Sequence, residues 1–335
     1  MLMLYYIYQL QFTTPVHFGR AELGGKLEQI DFTVTADTMF NAICCELSAS
    51  GIDGLIDFCQ KCDKGAIVLS DLFPYRDKAG DFEFYLPKPR LPLAAVREVV
   101  TSPQNFITAG IELLEKKQWA KMRYLRASNF AKYFSRLKAG SFYFDKEGFA
   151  VAEERTLVNC RGEESRPYTL GVYNFKPDIG LYGIIGLADE TDINWLTSII
   201  ESIGLSGLGG KRSSGFGKFV LTDMPYDLND GGFSDDDKAI ADMLAAKTAP
   251  WQMSISNLLP KPQEVTELTE AYYSLRRYGG FTATKEGQLV QKNSVYMLEA
   301  GSCLKKRVLG QVQQINDEGH PILRYGKGIY AGICP

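Results

Sequence analysis

Histidine is nearly absent from this sequence: His17 and His320 are the only two among 335 residues. Any imidazole chemistry therefore rests on one of them. A surplus of cations is missing too. The 37 Lys and Arg stand against 40 Asp and Glu, a net charge of −3. The chain as a whole does not advertise a polyanionic partner, so a nucleic-acid site has to be a local patch. Residues 1–222 carry 25 cations and 26 acids and residues 223–335 carry 12 and 14, so neither part is a hidden basic domain.

Paired cysteine motifs are lacking as well. The seven cysteines, Cys44, Cys45, Cys59, Cys62, Cys160, Cys303 and Cys334, are odd in number and irregular in spacing. That suits a reducing compartment better than a disulfide framework. Cys59-x-x-Cys62 has no second motif to complete a zinc site, so buried free thiols are expected, even beside the Cys44–Cys45 pair. No stretch reaches the roughly 18 apolar residues of a membrane span. The apolar start MLMLYYIYQLQF has neither the basic flank nor the cleavage site of a signal peptide. A cytoplasmic protein without membrane contact is the expectation. No period of about 20–50 residues recurs, which excludes a solenoid.

What is present fits a globular chain. A hydrophobic content of 45% implies a sizeable core. Residues 4–13 alternate as a half-buried strand, with Tyr8, Leu10 and Phe12 against Gln9, Gln11 and Thr13. Met39, Phe40, Ile43 and Leu47 recur at helical spacing over 37–49. Residues 140–176 read as hairpin strands and LYGIIGL at 181–187 as a buried strand. Asp192 opens a helix bearing Ile193, Leu196, Ile199, Ile200 and Ile203 on one face. Seven aspartates in 223–242 mark a boundary near 225–250, with Ser234 and Asp235–Asp237 as a solvated helix start in preference to a metal site.

GLGGKRSSGFGKF, residues 207–219, has five glycines, three cations and no acid. It is not a Walker A loop, since Leu205 stands where the first glycine belongs and Arg212 where Ser or Thr should hold magnesium. The order around it, helix then loop then strand, also puts no helix N-terminus on a phosphate. Its glycines permit positive φ and close approach of another chain. Consecutive backbone N–H groups can hold an anion, and Lys211, Arg212, Ser213 and Ser214 are donors suited to phosphate and sugar contacts. A flexible surface turn with incidental cations is the alternative.

Six stretches occur in order: FTTPVHFG, TADTMFNAI, GLSGLGGKRSSGFGKF, YSLRRYGGF, KNSVYMLEAGS and HPILRYG. Together they resemble the RAMP superfamily of CRISPR proteins, and more narrowly subunit four of the Csm complex, the type III-A effector. The resemblance runs from residue 4 to about residue 328. It implies an α+β chain of two ferredoxin-like, RNA-recognition-type domains, 1–225 and 250–335, the first with an inserted β-hairpin thumb supplied by 140–176. It implies a non-catalytic subunit, without cofactor or metal, that holds the 5′ handle of the guide RNA. Its partners would be the large catalytic subunit and the backbone subunit of the complex.

Carried onto this sequence, the implied RNA-binding set starts with His17, the post-strand histidine, with Arg20 and Lys26 in the loop that follows. It continues with Gly207, Gly209, Gly210, Lys211, Arg212, Ser213, Ser214, Gly215 and Gly217, and ends with Arg276 and Arg277 of the second domain. Ala36 stands where a serine is expected ahead of Asp37, leaving the backbone N–H groups of the first helix to contact RNA there. A relative that cleaves repeat RNA without metal would use an early histidine as base, here His17 with Tyr8 or Lys26. Residues 116–138, with eight cations, five aromatics and no acid, suit either single-stranded RNA or an amphipathic connector whose basic side chains lie over apolar surface. Arg155, in the insertion, is a further candidate contact, and His320 reads as structural.

Overall fold

The computed structural model describes residues 3–20, 26–50, 52–92, 106–145, 148–159, 165–230, 233–283, 289–291, 293–316 and 321–335. The first half runs β1 (Leu4–Phe12), β2 (Phe18–Gly19), β3 (Ile30–Asp31), α1 (Ala36–Ser50), α2 (Ile52–Lys64), β4 (Ile67–Leu69), β5 (Phe73–Lys78) and β6 (Asp81–Pro87). It continues with α3 (Phe106–Lys121), β7 (Tyr124–Arg126), α4 (Phe130–Lys138), β8 (Ala150–Asn159), β9 (Arg166–Phe175), β10 (Ile179–Leu187), α5 (Asp192–Ser206), β11 (Phe219–Leu221) and β12 (Tyr226–Asp227). After α6 (Asp235–Ala245) the chain is strands: β13 (Trp251–Ser254), β14 (Leu275–Tyr278), β15 (Phe281–Ala283), β16 (Leu289–Gln291), β17 (Val295–Leu298), β18 (Cys303–Leu304), β19 (Gly310–Gln314), β20 (Leu323–Lys327) and β21 (Tyr330–Ile333).

The main antiparallel sheet has the order β11-β1-β10-β5-β6-β7, with β4 also beside β10 and β12 beside β1. β1 is central. It pairs with β10 from Leu4↔Leu187 to Leu10↔Leu181, and with β11 from Leu10↔Leu221 to Phe12↔Phe219. β10 is buried along its whole length, as its unbroken apolar run predicts. Its glycines make room for rings: a Cβ on Gly180 would sit 2.5 Å from Tyr75 Cε1.

One face of the sheet is covered by α1, α2 and α5 through Met39, Phe40, Ile43, Phe58, Leu196, Ile200 and Ile203, the residues whose helical spacing was legible. The core on the other side joins the two halves. It runs from Phe84 and Leu125 through Phe130 and Phe134 to Ile240, Met253 and Ile333. Among the described residues after Ala245 there is no α-helix, only the 3-10 segment Pro262–Leu268, and α6 packs on β21. β8 and β9 form a ten-pair hairpin, Ala150↔Phe175 to Asn159↔Arg166.

Two sequence readings change. In 116–138 the connector reading prevails: Phe130, Tyr133, Phe134 and Leu137 are buried on one face of α4 at i, i+3, i+4 and i+7. Arg126 in the same segment is tied to Asp236 at 2.7 Å and to Glu83 at 2.9 Å. The acidic helix start is not all solvated. Asp237 closes a capping box with Ser234, while Asp236 is wholly buried and accepts from Phe84 N and Ser128 N as well.

The first turn of α1 is the second change. Its four leading N–H groups, which would otherwise be free to meet RNA, are all taken. Ala36 N donates to Asp71 Oδ1 (2.8 Å), Asp37 N to Asn257 Oδ1 (3.0 Å), and Thr38 N and Met39 N to Thr35 O (3.0 and 3.1 Å). Asn257 N closes the knot by donating to Asp71 Oδ1 at 2.9 Å. The N-terminus of α1 therefore clamps the two halves together instead of contacting RNA.

Burial pushes the Asp71 carboxyl up to about 7, against the pull of the Ala36 and Asn257 amides and the Arg276 charge. Between its ordinary 3.8 and about 7 the unfolded chain has lost this proton and the folded chain keeps it. Stability contributed here is thus full below pH 3.8, falls as pH rises toward 7, and is flat above. Asp71→Asn keeps an acceptor for both amides and carries no charge. It should remove that slope and stabilise the chain at pH 8 by on the order of 2–4 kcal/mol. Urea titrations of both proteins at pH 5 and pH 8 check this; equal pH dependence would contradict it.

Candidate nucleic-acid interface

The glycine loop leaves α5 at Gly207, whose φ of 92° stops the helix while its N–H still reaches Ile203 O at 2.7 Å. Leu208 N donates to Gly217 O at 2.8 Å and closes the loop at its base. Gly210 N donates to His17 O and Gly217 N to Pro15 O, both at 2.9 Å, stitching it to the segment between β1 and β2. Phe216 is buried against Leu170 and Val172 of β9. This loop is held from both sides.

The glycines are needed, but mostly for protein. A Cβ on Gly209 would lie 2.6 Å from Phe18 Cδ1, one on Gly210 2.7 Å from His17 Cδ2, and one on Gly207 2.5 Å from Phe216 O. Gly217, at φ 77°, abuts the backbone of Leu208. Only Gly215, at φ 84°, faces open space among the five. Between them Lys211 takes the left-handed conformation (φ 60°) and Arg212–Ser214 a single 3-10 turn. The N–H groups of Lys211, Arg212 and Ser213 make no hydrogen bond among the described residues. Arg212, Ser213 and Ser214 are exposed.

A cleft of about 410 Å³ opens beside the loop. One wall is Gly207–Gly210 with Arg212, the next is His17–Gly19 and Thr33–Thr35 with the exposed face of α1, and the last is Arg276–Gly280 with Arg324. It thus brings together His17, Gly207, Gly209, Gly210, Arg212, Arg276 and Arg277, which lie up to 260 residues apart, the difference between 277 and 17. Arg212 and Arg277 have no acidic partner among the described residues. Arg276 is held at 4.0 Å from Asp31 and 3.8 Å from Glu299.

Other members of the set lie elsewhere. Lys211 donates to Tyr168 Oη at 3.2 Å and sits 4.5 Å from that ring's centre, toward the β8–β9 hairpin. Arg20 pairs with Asp31 at 3.6 Å and lines a separate depression against the hairpin. Lys26 is exposed and lines neither. Arg155 is bound by Glu153 at 3.0 Å. His320 lies outside the described residues.

His17 is buried, and its Nδ1 lies 2.8 Å from Gly171 O. A carbonyl only accepts, so Nδ1 carries the proton and Nε2 the lone pair. Burial lowers its pKa below the ordinary 6.5, the Gly171 bond partly offsets this, and the Lys211 charge lowers it further. The ring is therefore neutral at pH 7. Neither Tyr8 nor Lys26 lines the cleft with it, and Tyr8 is wholly buried with its pKa driven up.

Sequence reasoning did not find Arg324, the cleft's floor. It lies within HPILRYG but gives no local signal of its partner 287 residues away: Nη1 donates to Asp37 Oδ2 at 2.8 Å. Its Nη2 donates to Gly279 O at 2.6 Å, and Tyr325 N donates to Asp37 Oδ1 at 2.8 Å. Arg324 Nε is buried without a partner. The cysteines leave no metal site among the described residues; Cys44 and Cys59 Sγ are 3.8 Å apart as thiols.

The antiparallel sheet, the glycine loop after its second covering helix and the ordered motifs define a RAMP-type CRISPR protein. Within that class, residues 247–333 match the family described as CRISPR Csm4 C-terminal domain. The chain is 28% identical over 340 residues to CRISPR system Cms protein Csm4 of Streptococcus thermophilus, covering 98% of each. It is 26% identical over 321 residues to the protein of that name in Mycobacterium tuberculosis (strain CDC 1551 / Oshkosh), covering 94% of this chain and 95% of that one. The fold resembles a chain of a crystal structure of a Csm3-Csm4 subcomplex in the type III-A CRISPR-Cas interference complex, with a TM-score of 0.63, 15% identity and 99% and 100% coverage. It also resembles a chain of a Csm1-Csm4 cassette in complex with pppApA, with a TM-score of 0.60, 17% identity and 99% and 98% coverage. No helix among the described residues is long and apolar enough to cross a membrane.

Proposed function

We propose that this chain is the non-catalytic Csm4 subunit of a type III-A CRISPR effector, holding the 5′ handle of the guide RNA in the cleft between its halves. The observation that carries this reading is the convergence of Arg212 and Arg277, two unpaired cations from opposite walls, on one cleft in a chain of net charge −3. Free N–H groups at Lys211–Ser213 add donors for phosphate oxygens. Cytoplasmic location follows from that role. The titles of the Csm1-Csm4 and Csm3-Csm4 structures supply the partners: a large subunit of the Csm1 kind and a backbone subunit of the Csm3 kind.

The finer fold reading goes with it. The strands β11, β1, β10 and β4 with α1 and α5 follow the 4-1-3-2 order of a ferredoxin-like unit, and the β8–β9 hairpin is the inserted thumb. The second ferredoxin-like unit takes its helical cover from α6, ahead of the 250 boundary.

Arg212→Ala with Arg277→Ala should lower affinity for handle RNA by about 10- to 100-fold, since each charge-assisted phosphate contact contributes about 1–1.5 kcal/mol. RNA content of the purified complex, by absorbance and gel, is the measurement. Full RNA content in the double variant would sink the assignment. The same preparations incubated with labelled repeat RNA without metal should leave it intact; specific cleavage lost in His17→Ala would instead support the endoribonuclease.

A further inference from the structure

A second cleft, of about 780 Å³, adjoins the first and shares Thr33, Val34, Thr35, Arg276 and Tyr278 with it. The two form one groove, but their chemistry differs. Cations of the second cleft are already engaged. Lys88 donates to Trp119 O at 2.6 Å and lies 4.2 Å over that ring. Arg90 binds Glu299 at 2.6 Å, and Arg123 grips Asp31 at 3.0 Å. A phosphate entering here would have to displace carboxylates.

An aromatic face and a carboxylate acceptor are what this cleft still offers. Tyr273 is 43% exposed, and among the described residues its ring has no aromatic neighbour and its hydroxyl no partner. Glu299 is brought beside it by the bond from Glu299 N to Ser274 O at 2.9 Å. Its Oε2 is bound by Arg90, while Oε1 stays 3.8 Å from Arg276 and can accept another hydrogen bond. A flat group with N–H donors satisfies both, and in RNA that is a base with an exocyclic amino group.

We propose that the second cleft receives one unstacked nucleobase of the RNA whose backbone lies in the first, stacked on Tyr273 and donating its exocyclic amino group to Glu299. This rests on the RNA-binding reading above. Phosphates would run past Arg212 and Arg277, and a single nucleotide would turn across Arg276 into the mixed-charge cleft. Uracil, with carbonyl groups in place of the amino group, would be disfavoured at that position.

The test uses the full chain in the reconstituted complex and a handle-sequence RNA in which one nucleotide at a time is made abasic. One position should cost about tenfold in affinity. That cost should vanish in Tyr273→Ala and persist in Tyr273→Phe. Uracil at the same position should cost a similar factor, and less in Glu299→Gln. A flat abasic scan, or an unchanged cost in Tyr273→Ala, overturns the base pocket. Arg212→Ala with Arg277→Ala should weaken every RNA alike, so a flat scan with an effective double variant removes the pocket alone. A double variant that binds all RNAs as tightly as the unaltered chain removes the reading beneath both.

Discussion

Asp37→Ala should destabilise the chain by about 3–5 kcal/mol, the cost of leaving one member of a buried ion pair without its partner. Asp37 and Arg324 are almost completely buried, 2.8 Å apart, and the Asp37 carboxylate also accepts from Tyr325 N. Removing it strands a guanidinium whose Nε is already unsatisfied and frees a backbone amide. Because Asp37 sits at the start of α1 and Arg324 on β20, the loss loosens the two walls of the cleft as well. Chemical denaturation should show the full loss in Asp37→Ala and a smaller one in Asp37→Leu with Arg324→Met, where no buried charge remains. Equal losses in single and double variants would show that the pair is not the clamp.

Gly217→Ala is the second large effect. At φ 77° an L-residue is strained, and the added methyl would collide with the Leu208 backbone. Together these cost about 2–5 kcal/mol. The collision also breaks the Leu208–Gly217 closure that aims Arg212, so RNA affinity should fall even where the fold survives. Gly215→Ala is the matched control. Its φ is 84°, but nothing lies within 4 Å, so only the conformational cost of about 1–2 kcal/mol applies. Thermal melts of the two variants should differ clearly; equal shifts would mean that close packing does not shape the loop.

These two predictions mark what the sequence could and could not disclose. The apolar run of β10, the helical spacing of α1 and α5 and the Ser234 cap are local patterns, and each is where its spacing places it. The glycine loop was visible as a loop, yet the purpose of its glycines was not: they admit Phe18, His17 and the Phe216 carbonyl. The cleft depends on pairings such as Asp37 with Arg324 and Asp71 with Asn257, separated by 287 and 186 residues. A buried polar residue carries no periodicity, so nothing local announces such a clamp. The aromatics of 116–138 were legible in principle, because Phe130, Tyr133, Phe134 and Leu137 hold a helical face. Counting cations hid it.

The salt dependence of RNA affinity tests the central claim most directly. A single strand loses log affinity with log salt at about 0.7 per neutralised phosphate. If Arg212 and Arg277 each meet one, the double alanine variant should show a slope shallower by about 1.4. A slope equal to that of the unaltered chain would contradict a phosphate track across this cleft.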